Sequence, residues 1–100
     1  MTKKAAAQIR VRNVNHPGHV RLVDPEMYEA MKRAFLKVLP RTSPGLTATE
    51  ILERLPAQLP ERLYPGGAKV SWWAKTVQLD LEARKAIARE KTSPLRWRRS

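Results

Sequence analysis

At 100 residues, 42% of them hydrophobic, the chain is long enough for one modest core and too short for two. It has no cysteine, so neither a disulfide framework nor a thiolate metal site is available, and packing alone must hold the fold, as is ordinary in a reducing cytoplasm. The net charge of +11 is high for this length and points to contact with a polyanion, with plain solubility or an acidic protein partner as the alternatives.

Residues 1–8 read as a flexible basic tail, ahead of one domain over residues 9–100. Lys3 and Lys4 are followed by three alanines but by no apolar signal region, and no stretch approaches the ~20 apolar residues of a membrane span. The expectation is a soluble, cytoplasmic protein without membrane contact. Charge is segregated: Lys3, Lys4, Arg10, Arg12 and Arg21 stand against Asp24 at one end, and Lys91, Arg96, Arg98 and Arg99 stand unopposed at the other. Two basic ends around a nearly balanced middle form a polyanion-facing surface if they meet in space.

Residues 9–23 read as two strands around Asn15-His16-Pro17-Gly18-His19, with Pro17 and Gly18 at the centre of a type II turn. That pairing sets Ile9, Val11, Val20 and Leu22 on one face and Arg10, Arg12 and Arg21 on the other, beside Val14 and Val23. Type II turns match strand twist less well than the primed types, so two extended pieces around a wider bend are the alternative.

Asp24 followed by Pro25 marks a helix N-terminus, and Met27, Met31, Ala34, Phe35 and Val38 recur at helical spacing before Pro40 ends the run. Thr47-Ala48-Thr49-Glu50 has the form of a capping box, with Leu46 placed as a staple against Ile51. The short second helix packs Ile51, Leu52 and Leu55 and stops at Pro56. Prolines and glycines crowd residues 56–67, which reads as a structured connection with one helical turn at Pro60 to Leu63.

Ser71 is positioned to cap a third helix. On it Trp72, Thr76, Leu79, Ala83 and Ile87 define one stripe, flanked by Trp73, Val77 and Leu81, while Lys75, Gln78, Glu82, Lys85 and Arg89 fall opposite. Adjacent tryptophans point about 100° apart on a helix and cannot share one packing direction, so at least one of Trp72 and Trp73 packs inward, and the other either packs as well or contacts a partner. Ile87 to Glu90 and Leu95 to Arg99 then pair as strands around Lys91 to Pro94, with Trp97 inward and its flanking arginines outward.

Hairpin, three helices and hairpin is the element order of an α+β, winged-helix-like domain, in which the third helix enters the major groove and the C-terminal wing touches the neighbouring backbone. Junctions of helix and wing in that fold place glycine where Lys85 stands. Either the helix runs a turn longer here or a non-glycine residue adopts the left-handed ending. Duplex DNA is the expected partner. The residues expected to touch it are Lys75, Gln78, Lys85 and Arg89 on the third helix, Lys69 at its start, Arg96, Arg98 and Arg99 on the wing, and Arg10, Arg12 and Arg21 on the hairpin. The alternative is a protein-interaction module on the same scaffold, binding an acidic partner or a second copy of the chain; Glu82 on the outward face favours it, because a carboxylate is repelled by phosphates.

Several constellations are weaker. Pro65-Gly66-Gly67-Ala68-Lys69-Val70-Ser71 lacks the order and spacing of a phosphate loop, and suits at most one backbone phosphate at a helix start. His16 and His19 have no third metal ligand. No serine or histidine arrangement supports catalysis, and Asp80 and Glu82 lie on different helix faces. The expectation is a non-enzyme with no catalytic residue, metal, cofactor or small-molecule ligand.

Asn15-His16-Pro17-Gly18 with Asp24, Leu63-Tyr64-Pro65-Gly66-Gly67, the run from Trp72-Trp73-Ala74-Lys75-Thr76 to Leu81-Glu82, and Leu95-Arg96-Trp97 together resemble a family of small bacterial proteins of unknown function. The resemblance covers about residues 13–98, and the Trp-Trp to Leu-Glu run is its most specific part. It implies a winged-helix-like fold and carries over no catalytic or binding residue.

Overall fold

A computed structural model describes residues 8–100, so all but Gln8 of the expected N-terminal tail lies outside the described residues. The chain is α+β. An antiparallel hairpin, β1 (Ile9–Arg12) and β2 (Val20–Val23), leads into helix α1 (Pro25–Val38). A two-residue strand β3 (Leu46–Thr47), helix α2 (Ala48–Arg54), two 3-10 turns (Pro56–Gln58 and Pro65–Gly67) and helix α3 (Val70–Ala83) follow, and β4 (Ile87–Glu90) and β5 (Arg96–Arg99) close the chain. The C-terminal sheet has the order β3-β5-β4, the arrangement of a three-helix domain with a β-hairpin wing.

Local side-chain chemistry sets the first two helices. The Asp24 carboxylate accepts the Glu26 and Met27 N–H groups, with Pro25 in the first turn of α1. At α2 the capping box forms in both directions: Thr47 Oγ1 accepts from Glu50 N at 3.2 Å, and Thr47 N donates to Glu50 Oε1 at 2.9 Å. Leu46 and Ile51, the expected staple pair, are both buried, whereas Leu52, expected to pack, is exposed. The core gathers Tyr28, Met31, Ala34 and Phe35 of α1, Val70, Trp73, Ala74, Val77 and Leu81 of α3, Leu55, and Trp97 of β5.

The hairpin register differs from the expected one. Ile9 pairs with Val23 and Val11 with Arg21, so Val11 and Val23 are buried together while Val20 and Leu22 are exposed beside Arg10 and Arg12. The type II turn is present: Gly18 adopts φ 90° and His19 N donates to His16 O. A second turn precedes it, with His16 N donating to Asn13 O and Asn15 N to the Asn13 side chain, and it removes residues 13–15 from the strand. Three extra loop residues shift the pairing by an odd number, which exchanges the two faces of β2.

The buried face of α3 is also not the expected one. The helix begins at Val70, after Lys69 in the left-handed region at φ 66°, and Ser71 is not its cap. Counting from Val70, the stripe is Val70, Trp73, Ala74, Val77 and Leu81, and Gln78 and Asp80 are buried with it. Trp72, Thr76, Leu79 and Ala83 lie on the open side, Trp72 at 47% exposure against 7% for Trp73. A helix counted from Ser71 omits Val70 from the pattern, and the first tryptophan then sets the phase.

The helix ends on a left-handed Lys85 at φ 64°. Lys85 N donates to Glu82 O and Ala86 N to Leu81 O, the paired bonds of a Schellman ending built without glycine. Glycine is indispensable elsewhere: a Cβ on Gly45 would overlap the main-chain carbonyl of Trp97, so the approach of this loop to β5 excludes any side chain.

Candidate nucleic-acid interface

The open side of α3 is the floor of a groove whose wall is the N-terminal hairpin. Trp72, Lys75, Thr76 and Leu79 face Arg12, Asn13, His16, His19 and Arg21 across a cavity of about 540 Å³. The stripe expected to be core thus supplies most of this floor. Three permanent cations line the groove, and no carboxylate is among the described residues that do.

The wall is held to the floor by a buried carboxylate. Asp80, fully buried on α3, accepts the Arg12 N–H at 2.7 Å, the Tyr28 hydroxyl at 2.5 Å and Arg84 Nε at 2.9 Å. Arg84 also donates from Nη2 to Arg10 O at 2.8 Å, so α3 side chains bond the β1 edge that β2 leaves free. Burial, and then the hydrogen bond to Asp80, push the Tyr28 hydroxyl well above the usual tyrosine range. The sequence does not show this network, because its partners lie far apart along the chain, where no periodicity connects them.

Trp72 is fixed from two sides. Its ring meets that of the buried Trp73 edge to face, with centroids 5.1 Å apart and planes at 82°. The Arg21 guanidinium lies 5.7 Å from its centroid, in cation–π range. Trp72 also sits in the first turn of α3, at the positive end of the helix dipole.

The expected contact residues do not all converge. Arg12, Arg21 and Lys75 come together at the groove, and Arg10 is exposed on the adjoining strand. Lys69 and Lys85 are exposed at opposite ends of α3, each in a left-handed conformation. The wing arginines have partners within the fold. Arg96 donates to Gly45 O at 2.9 Å and lies 3.5 Å from Glu50, Arg98 donates to Glu90 at 3.2 Å, and Arg99 donates to Leu39 O at 3.1 Å. Arg89 Nε lies 2.9 Å from Glu82 Oε1, with its guanidinium 5.7 Å from the centroid of the Trp97 ring.

Two outward placements need correction. Gln78 is buried and donates to Glu82 at 2.9 Å, because the phase of α3 turns it toward the α2 side. The Glu82 side chain is 6% exposed under Arg89 and Gln78, so it does not stand as a free carboxylate on the open face. The Gly66, Gly67 and Ala68 N–H groups donate to Glu61, Tyr64 and Pro65, whereas the first turn of α3 that follows has no side-chain cap. His16 and His19 line the groove, and no group of three metal-ligating side chains occurs among the described residues.

A model of a family of unknown function, DUF6958, matches residues 8–97. The chain belongs to that family. The DUF6958 match runs from just before β1 into β5, so the hairpin that walls the groove and the helix that floors it both lie within the family domain. Curated proteins and solved structures give no match. No helix among the described residues is long and apolar enough to cross a membrane.

Proposed function

We propose that this protein binds nucleic acid, duplex DNA included, without catalysing a reaction, and that the groove between α3 and the N-terminal hairpin is the contact surface. The observation that carries this reading is the convergence of Arg12, Arg21 and Lys75 with an exposed tryptophan in a groove lined by no carboxylate among the described residues. Cations that have no acidic partner among the described residues are available to phosphates, and each phosphate neutralised releases counterions. The wing arginines, held by carboxylates and carbonyls, are assigned a structural role.

A salt titration of duplex binding tests the proposal. Affinity falls with a slope of roughly 0.9 log units per log unit of salt for each phosphate contacted. Arg12→Ala and Lys75→Ala each reduce that slope. Undetectable binding at low salt, or binding indifferent to salt, overturns the reading.

A second reading is association with a protein partner or a second copy of the chain. The exposed Val14, Val20 and Leu22 on the hairpin favour it. A salt-insensitive dimer in sedimentation equilibrium that Leu22→Lys disrupts supports that reading.

A further inference from the structure

We infer that the groove is built for an unpaired nucleotide, whose base stacks on Trp72 while its flanking phosphates are met by Arg12 and Lys75. This rests on the nucleic-acid reading above and narrows it to the strand form. The first argument is shape. A B-DNA major groove is about 12 Å wide and a helix with its side chains measures about 10–12 Å across, so a reading helix must stand clear of its neighbours. Here the hairpin rises beside the open side of α3, making that side the floor of a channel rather than a ridge. A channel of about 540 Å³ lies within the range of clefts that hold small ligands, roughly 300–1,000 Å³, and is of a size to admit an unpaired nucleotide, whereas a duplex meets only the cations at its mouth.

The second argument is the chemistry of the floor. A half-exposed tryptophan is ordinarily free to change rotamer, but Trp72 is braced by its perpendicular contact with the buried Trp73 ring and by the Arg21 guanidinium over its own ring. Nearly half of it remains open to solvent. Such a braced ring has little rotamer freedom left to lose when a base stacks on it. Around it stand Asn13, His16, His19 and Thr76, which supply donors and acceptors for base edges, and Arg12 and Lys75, which supply charge. A tryptophan among cations, in a concave and carboxylate-free lining, is the combination by which single strands are held: stacking for the base and cations for the backbone.

Fluorescence polarisation tests this with labelled oligonucleotides of one length: single-stranded DNA, single-stranded RNA, the matching duplex, and a strand with abasic sites through its centre. The abasic strand keeps the phosphates and removes the bases. Both intact single strands are expected to bind about tenfold tighter than the abasic strand or the duplex, the effect of one stacked base. DNA and RNA arms that differ identify which sugar the groove favours. Trp72→Ala brings single-strand affinity down to the abasic level. Trp72→Phe retains most of the affinity, and circular dichroism confirms the fold of each variant. Equal affinity for intact and abasic strands, or a duplex bound as tightly as the single strand, overturns the inference while salt-dependent binding leaves the proposed function standing. Absence of binding to all four ligands overturns both.

Discussion

Asp80 and Arg12, sixty-eight residues apart in sequence, are joined by a 2.7 Å hydrogen bond from the Arg12 main-chain N–H to the buried carboxylate. The bond fastens the hairpin to α3, and with it the spacing between the wall and the floor of the groove. The same carboxylate accepts the Tyr28 hydroxyl, so α1, α3 and β1 meet at one charge. A buried carboxylate is tolerated because its oxygens are fully engaged and Arg84 neutralises it.

Replacing Asp80 with alanine removes every bond at that point. The buried Tyr28 hydroxyl and the part-buried Arg12 N–H lose their acceptor, while Arg84, more than a third exposed, regains water at little cost. The expected loss is about 2–4 kcal/mol in urea unfolding. Native-state hydrogen exchange shows the Arg12 amide and the β1–β2 amides losing protection first. Tyr28→Phe, which leaves the Arg12 bond in place, costs about 1–2 kcal/mol. A hairpin whose protection does not change in Asp80→Ala contradicts the fastening role.

The tyrosines set an alkaline limit. Burial raises the Tyr28 and Tyr64 hydroxyls above the ordinary tyrosine range, with the Asp80 hydrogen bond adding to the effect at Tyr28 and the charge of Asp24 at Tyr64. In the unfolded chain both ionise near pH ~10. The folded state then holds more protons than the unfolded one, so stabilisation that is complete below pH ~10 declines as pH rises through and beyond it, by about 1.4 kcal/mol per pH unit for each tyrosine. Urea midpoints followed up to pH ~11 show this fall, and it is halved in Tyr64→Phe. At the acid end the sign reverses. The Gly45 N–H, and then the Ser43 hydroxyl, hold the Glu90 carboxyl below its usual range, so that contribution is present above pH ~4.3 and lost as pH falls below it. Glu90→Gln flattens the acid limb.

The first two helices are legible in the sequence because their signals are local: Asp24 before Pro25 and Thr47 with Glu50 are side chains bonding their own first turn. The hairpin faces are not, since one additional turn at Asn13 shifts the register and exchanges them; Asn13 and Asn15 together were the available sign of it. The phase of α3 turned on whether Val70 belongs to the helix. Arg12, Arg21 and Lys75 are recognisable as candidate contacts from charge alone, but their convergence depends on Asp80, whose partners no sequence spacing reveals. The third strand of the wing sheet is two residues long, too short for any alternation to show.

The helix ending offers a stabilising substitution. Lys85 holds φ 64° with no glycine to ease it, and its side chain is exposed. A non-glycine residue in the left-handed region costs roughly 1–2 kcal/mol, of which a glycine returns about half after its greater unfolded-state freedom is counted. Lys85→Gly is therefore expected to stabilise by about 0.5–1 kcal/mol, read as a higher thermal midpoint. Gly45→Ala acts in the opposite direction, because its methyl group meets the fixed carbonyl of Trp97; a loss of about 3 kcal/mol or more is expected, with increased solvent exposure of Trp97 in fluorescence.

The wing and the groove make opposite predictions about where charge acts. Arg98→Ala releases Glu90 from its ion pair and is expected to lower stability only slightly, with nucleic-acid affinity and its salt slope unchanged. Arg12→Ala leaves the main-chain bond to Asp80 intact and removes only the guanidinium, so stability changes little while the slope of log affinity against log salt falls by about 0.7–0.9. Lys75→Ala is expected to behave as Arg12→Ala does, and the two effects to add, since in the proposed contact each residue meets a different phosphate. If Arg98→Ala and Arg99→Ala lower the slope and the groove variants do not, the contact surface is the wing, and the ion pair that holds Arg98 opens when nucleic acid binds.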